Sequence, residues 1–275
     1  MSSVAAALCL AVALAWHTGL TLFDNRLILR SYRGRRVYRL GQGWVCSSRL
    51  ATEQRLAMAG LVVAAALVPA RLAAGPWAIT ATLLCCCGAL AFVLANRQLR
   101  GGRYTSVCLA LLSAALLLEQ GFTLVWGAPN TIITGAFASF FAAQLYLVAG
   151  IRKIRSRHFM NGRVMLDNIA YNAYQAAAGN QDFLPVPRLP ALAILLRSEA
   201  FLLTCRAAAV LTAMAELAMG LGALGLIPAP LILAVAIPIH LAFTAISPRR
   251  IVPFSVAALG LLLLATTHPL LAPAW

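Results

Sequence analysis

The sequence predicts an all-α fold: a polytopic integral membrane helix bundle of about eight transmembrane helices, with both termini outside (N-out/C-out). Three observations carry this. Hydrophobic residues make up 62% of the 275-residue chain and charged residues 11%, where a soluble domain is about a quarter charged. The apolar residues fall in runs of about 20, the length that crosses a bilayer. The basic residues fall in every second gap between those runs, as the cytoplasmic bias of Lys and Arg in membrane loops requires.

The elements follow in order. The first run, 4–23, has no basic residue before it, so it reads as a retained helix rather than a cleaved leader. The 24–55 gap then carries eight arginines, from Arg26 to Arg55. Runs 56–73 and 76–95 meet at Gly75-Pro76, a turn that is nearly neutral apart from Arg71 just before it. The 96–104 gap holds Arg97, Arg100 and Arg103. Runs 105–127 and 130–151 meet at the uncharged Gly127-Ala128-Pro129. The 152–201 gap is basic again, with Lys153 and six arginines. Runs 202–226 and 229–247 are separated by an uncharged turn at Pro228. Arg249 and Arg250 precede the last run, 252–272. The alternation tests the number of spans and their orientation together.

Residues 1–275 therefore read as a single membrane-embedded domain. The 152–201 stretch is its longest connection, on the cytoplasmic side. Within it Leu166, Ile169, Ala170, Ala173 and Ala177 recur at helical spacing, which predicts an amphipathic or re-entrant helix. Pro185, Pro187 and Pro190 predict an extended turn after it.

The net charge of +15 sits in loops between spans, which argues against nucleic acid as a partner and for the lipid bilayer. Seven cysteines include the triplet Cys85-Cys86-Cys87. Successive helical residues point about 100° apart, so three in a row do not converge on one ion. No metal site is expected.

Ionisable groups inside a bilayer are costly and mark sites or structural pairs. The candidates are His17, Glu119, Arg206, Glu216 and His240, with Lys153 at the end of the fifth run. Glu216 has Thr212 and Gly220 four residues to either side, on the same helical face. His240 stands one turn after Pro238. His17 and Glu119 read first as structural residues, and Arg206 as one that snorkels to the cytoplasmic face.

Lys153 differs in kind, because it is the one lysine among 22 basic residues. Arginine stays protonated in proteins. A desolvated lysine can lose its proton and act as a general base. Tyr146, Ala149 and Gly150 share its helical face, and the two small residues predict room for a substrate beside the amine. Its bland alternative is one more cytoplasmic anchor.

The stretch YLVAGIRKIRSRHFMNG, residues 146–162, resembles the signature of the horizontally transferred transmembrane (HTTM) domain. That group includes the vitamin K-dependent gamma-carboxylases and the sporulation-delaying-protein B family of bacterial peptide-toxin systems. The pattern, an aromatic residue, Ala-Gly-x-x-Lys and then an aromatic residue and a glycine, falls here on Tyr146, Ala149-Gly150, Lys153, Phe159 and Gly162. Phe159 stands where the family usually has Trp. Glu216 resembles the family's acidic residue in the next helix, and His240 with the PFS at 253–255 resembles a histidine and turn after it. The match is loose over 96–265 and tight over 146–162.

The resemblance implies a bacterial cell-membrane enzyme with Lys153, His240 and Glu216 as catalytic residues. It implies a pocket formed by Tyr146, Gly150, Phe159 and Gly162. The implied cofactor is a reduced quinone (vitamin K or menaquinol), used with O2 and CO2, and the implied substrate is a small peptide or small molecule. The alternative is a non-enzymatic membrane component of a peptide-toxin production or immunity system, working with other membrane proteins. A base of this type needs a dry surrounding, so the enzyme reading requires the 154–190 segment to fold back over Lys153.

Overall fold

The computed structural model of the chain describes residues 2–31, 36–39, 43–100, 104–184 and 186–266. Among them, seven helices are long and apolar enough to cross a membrane. These are α1 (Ser2–Ser31), α2 (Ser47–Leu72), α3 (Pro76–Arg100), α4 (Tyr104–Trp126), α5 (Thr131–Arg155), α9 (Glu199–Ala223) and α10 (Ala229–Ile246). Three short helices, α6 (Arg157–Met160), α7 (Arg163–Ala177) and α8 (Leu189–Leu195), lie between α5 and α9. The eighth predicted run is helical over α11 (Val252–Ala265), and its end, from residue 267, lies outside the described residues. The protein is a multi-pass, all-α membrane protein. Large apolar side chains on the helix exteriors, such as Val62, Leu84, Ile132 and Leu211, are exposed and suit a lipid surround.

The helix ends follow from local sequence. Pro76 opens α3 where a missing N–H costs nothing. The Asn130 side chain accepts the Ile133 backbone N–H at 3.0 Å and starts α5. Ser198 does the same for α9, accepting from Phe201. One expectation is corrected. Pro190 does not sit in an extended turn but in the first turn of α8, a position that proline's fixed φ favours. A small antiparallel hairpin, β1 (Arg36–Arg39) with β2 (Gly43–Cys46), follows α1 and was not foreseen. Val45 from it packs on Leu50 and Ile28.

The chain forms two compact units. Unit 1 holds the residues up to Thr134 and Val256–Leu261, and unit 2 holds Gly135–Ser255 and the residues from Leu262 on. In unit 1, α1 to α4 pack as neighbours around Leu10, Leu14, Leu67, Leu109, Leu112 and Leu116, all fully buried. In unit 2, α6, α7 and α10 pack on α9. Phe159, Met165, Cys205, Ala209 and Ala213 form a buried cluster there. The face of α7 that is buried centres on Met165, Asn172 and Ala173.

Candidate functional site

Lys153 occupies the last turn of α5, where a cation suits the helix C-terminus. The chain then stops and turns. Ser156 caps α6 by accepting the Phe159 N–H at 3.2 Å. Gly162 follows at φ +82°, a conformation glycine adopts without strain. A Cβ at Gly162 would lie 2.6 Å from the Arg206 backbone nitrogen and 2.8 Å from the Cys205 carbonyl carbon. Glycine is thus required twice, for the turn and for the close approach of this turn to α9. The result is that α6 folds back and sets the Phe159 ring 5.5 Å from the Lys153 amine.

The Lys153 Nζ donates to Glu216 Oε1 on α9. The side chain of Lys153 is 22% exposed and that of Glu216 7%. A second ring, Phe243 on α10, lies 5.1 Å from the amine on centroid distance. His240, one turn earlier on α10, shares a 2.8 Å hydrogen bond through Nε2 with the Tyr146 hydroxyl. The His240 ring also meets Phe243 and Phe254, each at 6.4 Å between centroids. Tyr146, Lys153, Phe159, Glu216 and His240 therefore come together within unit 2.

Gly150 and Gly162 are near but do other work. A Cβ at Gly150 would meet Leu217 Cδ2 at 2.9 Å and the Ala213 carbonyl at 3.2 Å. A Cβ at Gly220 would meet Leu147 Cγ at 2.6 Å. The small residues beside Lys153 and Glu216 thus let α5 and α9 approach closely. The room expected beside the amine at Gly150 is filled by Leu217.

Among the described residues, three buried polar atoms in this region lack a hydrogen-bond partner: Glu216 Oε2, His240 Nδ1 and Ser255 Oγ. A buried polar atom left unpaired is costly, so such atoms point to an absent partner. In the tautomer in which the Tyr146 hydroxyl donates to Nε2, His240 Nδ1 carries the proton and can donate; in the other, Nδ1 accepts. Glu216 Oε2 can accept.

Spacing could have found Phe243, which is three residues after His240 and so on the same face. Unit 1 holds partners that were also missed. Arg71 Nη2 donates to Glu119 Oε1 at 2.9 Å and to the Ser3 hydroxyl. His17 Nε2 lies 2.8 Å from Asn96 Nδ2. Arg206, read as snorkelling, is exposed. The cysteine triplet splits as its helical angles require, with Cys86 buried and Cys87 exposed. Among the described residues no three His, Cys, Asp or Glu side chains gather as metal ligands.

Compared with protein-family models, curated proteins and solved structures, the chain finds no match.

Proposed function

We propose that this chain is a bacterial plasma-membrane enzyme of the HTTM kind, similar to the vitamin K-dependent gamma-carboxylases. In this reading Lys153 is a general base toward a reduced quinone, and the product is a modified peptide or small molecule. The observation that carries it is the Lys153–Glu216 pair, set between two aromatic rings, with Glu216 Oε2 left unpartnered.

The pair gives the lysine somewhere to put its proton. Moving it from Nζ to the carboxylate turns two charges into two neutral groups, and a low-dielectric site favours this more than water does. The neutral amine then accepts a proton from a ligand hydroxyl. Phe159 and Phe243 hold a flat ring on their apolar faces, and they stabilise the ammonium that forms. His240, oriented by Tyr146, binds a second polar group through Nδ1. Lys153, Phe159, Phe243 and His240 would hold a reduced quinone, which with O2 would supply the strong base that carboxylation needs.

Lys153→Arg tests this directly, because it keeps the charge and the reach to Glu216 but does not release a proton. The measurement is mass spectrometry of a peptide encoded beside this protein and co-expressed with it. The wild type should add the mass of one CO2, and Lys153→Arg should not, with membrane insertion unchanged. Full modification in Lys153→Arg would sink the proposal. It would leave the pair as a structural clamp, whereas no added mass with the wild type either would favour the non-enzymatic peptide-toxin role.

A further inference from the structure

The basic end of unit 2 gathers five arginines on four helices. Arg152 and Arg155 close α5, Arg157 opens α6, Arg163 opens α7, and Arg206 lies two turns into α9. All five are exposed. The fold brings these elements together. Where α6 turns back, a Cβ at Gly162 would lie 2.8 Å from the Arg206 Cα. Arg163 follows Gly162 directly, so it and Arg206 are neighbours although far apart in sequence.

The charge of this patch is not offset within the described residues. Arg49, Arg71, Lys153 and Arg250 each pair with an acid. Among the described residues none of the five makes an ion pair. The nearest acids along the chain, Asp167 and Glu199, are exposed and pair with none of them. Like charges gathered this closely repel, and an anion bound among them relieves the repulsion.

The surface that leads to the patch is apolar. On α5, Val148 and Ile151 are exposed one turn before Arg152 and Arg155, on the same face. On α9, Leu203 and Val210 are exposed on the face of Arg206, and Leu211 and Met214 continue that surface. The two helices touch, since a Cβ at Gly150 would meet Leu217 and the Ala213 carbonyl. Helical side chains lean toward the helix N-terminus, which carries the Arg206 guanidinium toward the arginine-bearing end. Apolar helix faces that end in arginines match one phospholipid, with its chains on the apolar surface and its phosphate at the cations.

We infer that this patch binds the headgroup of an anionic phospholipid, with Arg163 and Arg206 on the phosphate and Arg152, Arg155 and Arg157 around it. A guanidinium matches a phosphate in charge and fork geometry. Basic clusters at the end of a membrane helix attract anionic lipid. A free phosphate or a soluble acidic peptide makes no use of the apolar faces. The inference is independent of the chemistry proposed for Lys153.

The test uses the full-length protein purified in a neutral detergent. Retention of phosphatidylglycerol and of phosphatidylcholine is measured by native mass spectrometry for wild type, Arg163→Ala, Arg206→Ala and Arg55→Ala. Arg55 is exposed on α2 of unit 1 and controls for net charge. The expected result is selective retention of phosphatidylglycerol, weakened about fivefold by Arg163→Ala and by Arg206→Ala and left near wild type by Arg55→Ala. Equal retention of the two lipids, or equal loss in all three variants, overturns the inference. Displacement of the lipid by millimolar inorganic phosphate also overturns it. So does displacement by a micromolar polyglutamate peptide, which would make an acidic segment the occupant. Should Arg206→Ala not fold, Arg152→Gln takes its place with the same expected loss.

Discussion

Each unit holds a largely buried ion pair among its described residues, and the two are close copies in burial. Arg71 and Glu119 in unit 1 have side chains 22% and 8% exposed; Lys153 and Glu216 in unit 2 have 22% and 7%. Both cations stand in the last turn of a helix, and both acids lie well inside one. They differ in what surrounds the cation. The Arg71 guanidinium reaches two helices besides its own, through Glu119 on α4 and Ser3 on α1, and it does not give up its proton. The Lys153 amine reaches one acid and two aromatic rings. The same burial thus serves a clasp in one unit and, on the reading proposed here, a proton exchange in the other.

The largest effect that separates them is on activity. Lys153→Arg should lower peptide modification by about a thousandfold, within the range for losing a general base. Arg71→Lys, the mirror change in unit 1, should leave modification within a few-fold of wild type. A large loss in Arg71→Lys, or none in Lys153→Arg, removes the distinction. Next comes stability. Glu119→Ala strands the largely buried Arg71 cation and should cost about 3 kcal/mol, while Glu216→Ala leaves a lysine that can shed its proton and should cost less, read from thermal unfolding in detergent.

A smaller contrast lies in the glycines. A Cβ at Gly162 would run into the backbone of α9 at positive φ, while one at Gly60 would meet the Thr18 methyl at 2.7 Å and the Phe92 ring edge at 3.0 Å. Side chains yield more readily than backbone. Gly162→Ala should therefore cost about 3 kcal/mol and Gly60→Ala about 1 kcal/mol. If Gly60→Ala proves the worse, the turn before α7 is softer than its geometry implies.

The mildest effect concerns Cys46, which is exposed at the start of α2. Its Sγ lies 3.0 Å from the Ser48 hydroxyl, and that hydrogen bond lowers the thiol pKa below its ordinary value. A lowered pKa means more thiolate at a given pH, so alkylation should begin at lower pH than for an ordinary exposed thiol. A membrane-impermeant maleimide should label Cys46 in opened cells but not in intact ones if the 24–55 connection is cytoplasmic. Labelling in intact cells reverses the N-out/C-out orientation.

Much of the fold was legible because the bilayer enforces it. A run of about 20 apolar residues has few other fates, and loop charge sets the alternation. The site was legible in part. Lys153, Glu216 and His240 stood out as ionisable groups in apolar runs. Their pairing did not, since partners 63 and 94 residues apart leave no local periodicity. Phe159 came from the resemblance alone, and the capped α6 turn that delivers it was not read. Arg71 carried a usable signal. It was the one cation at an otherwise bare turn, and Glu119 lay toward the same end of its span. Gly150 misled because a small residue reads the same whether it leaves space for a ligand or for a neighbouring leucine.

The distance along the chain between Lys153 and Glu216 has a consequence for biosynthesis. Lys153 is made and inserted before its acid exists, and 63 residues separate the two. At about 5–20 residues per second a ribosome needs several seconds to cover that stretch. A stalled or truncated chain would carry the lysine and the early spans without Glu216 to pair it. The pair thus forms only once the later helices are in place.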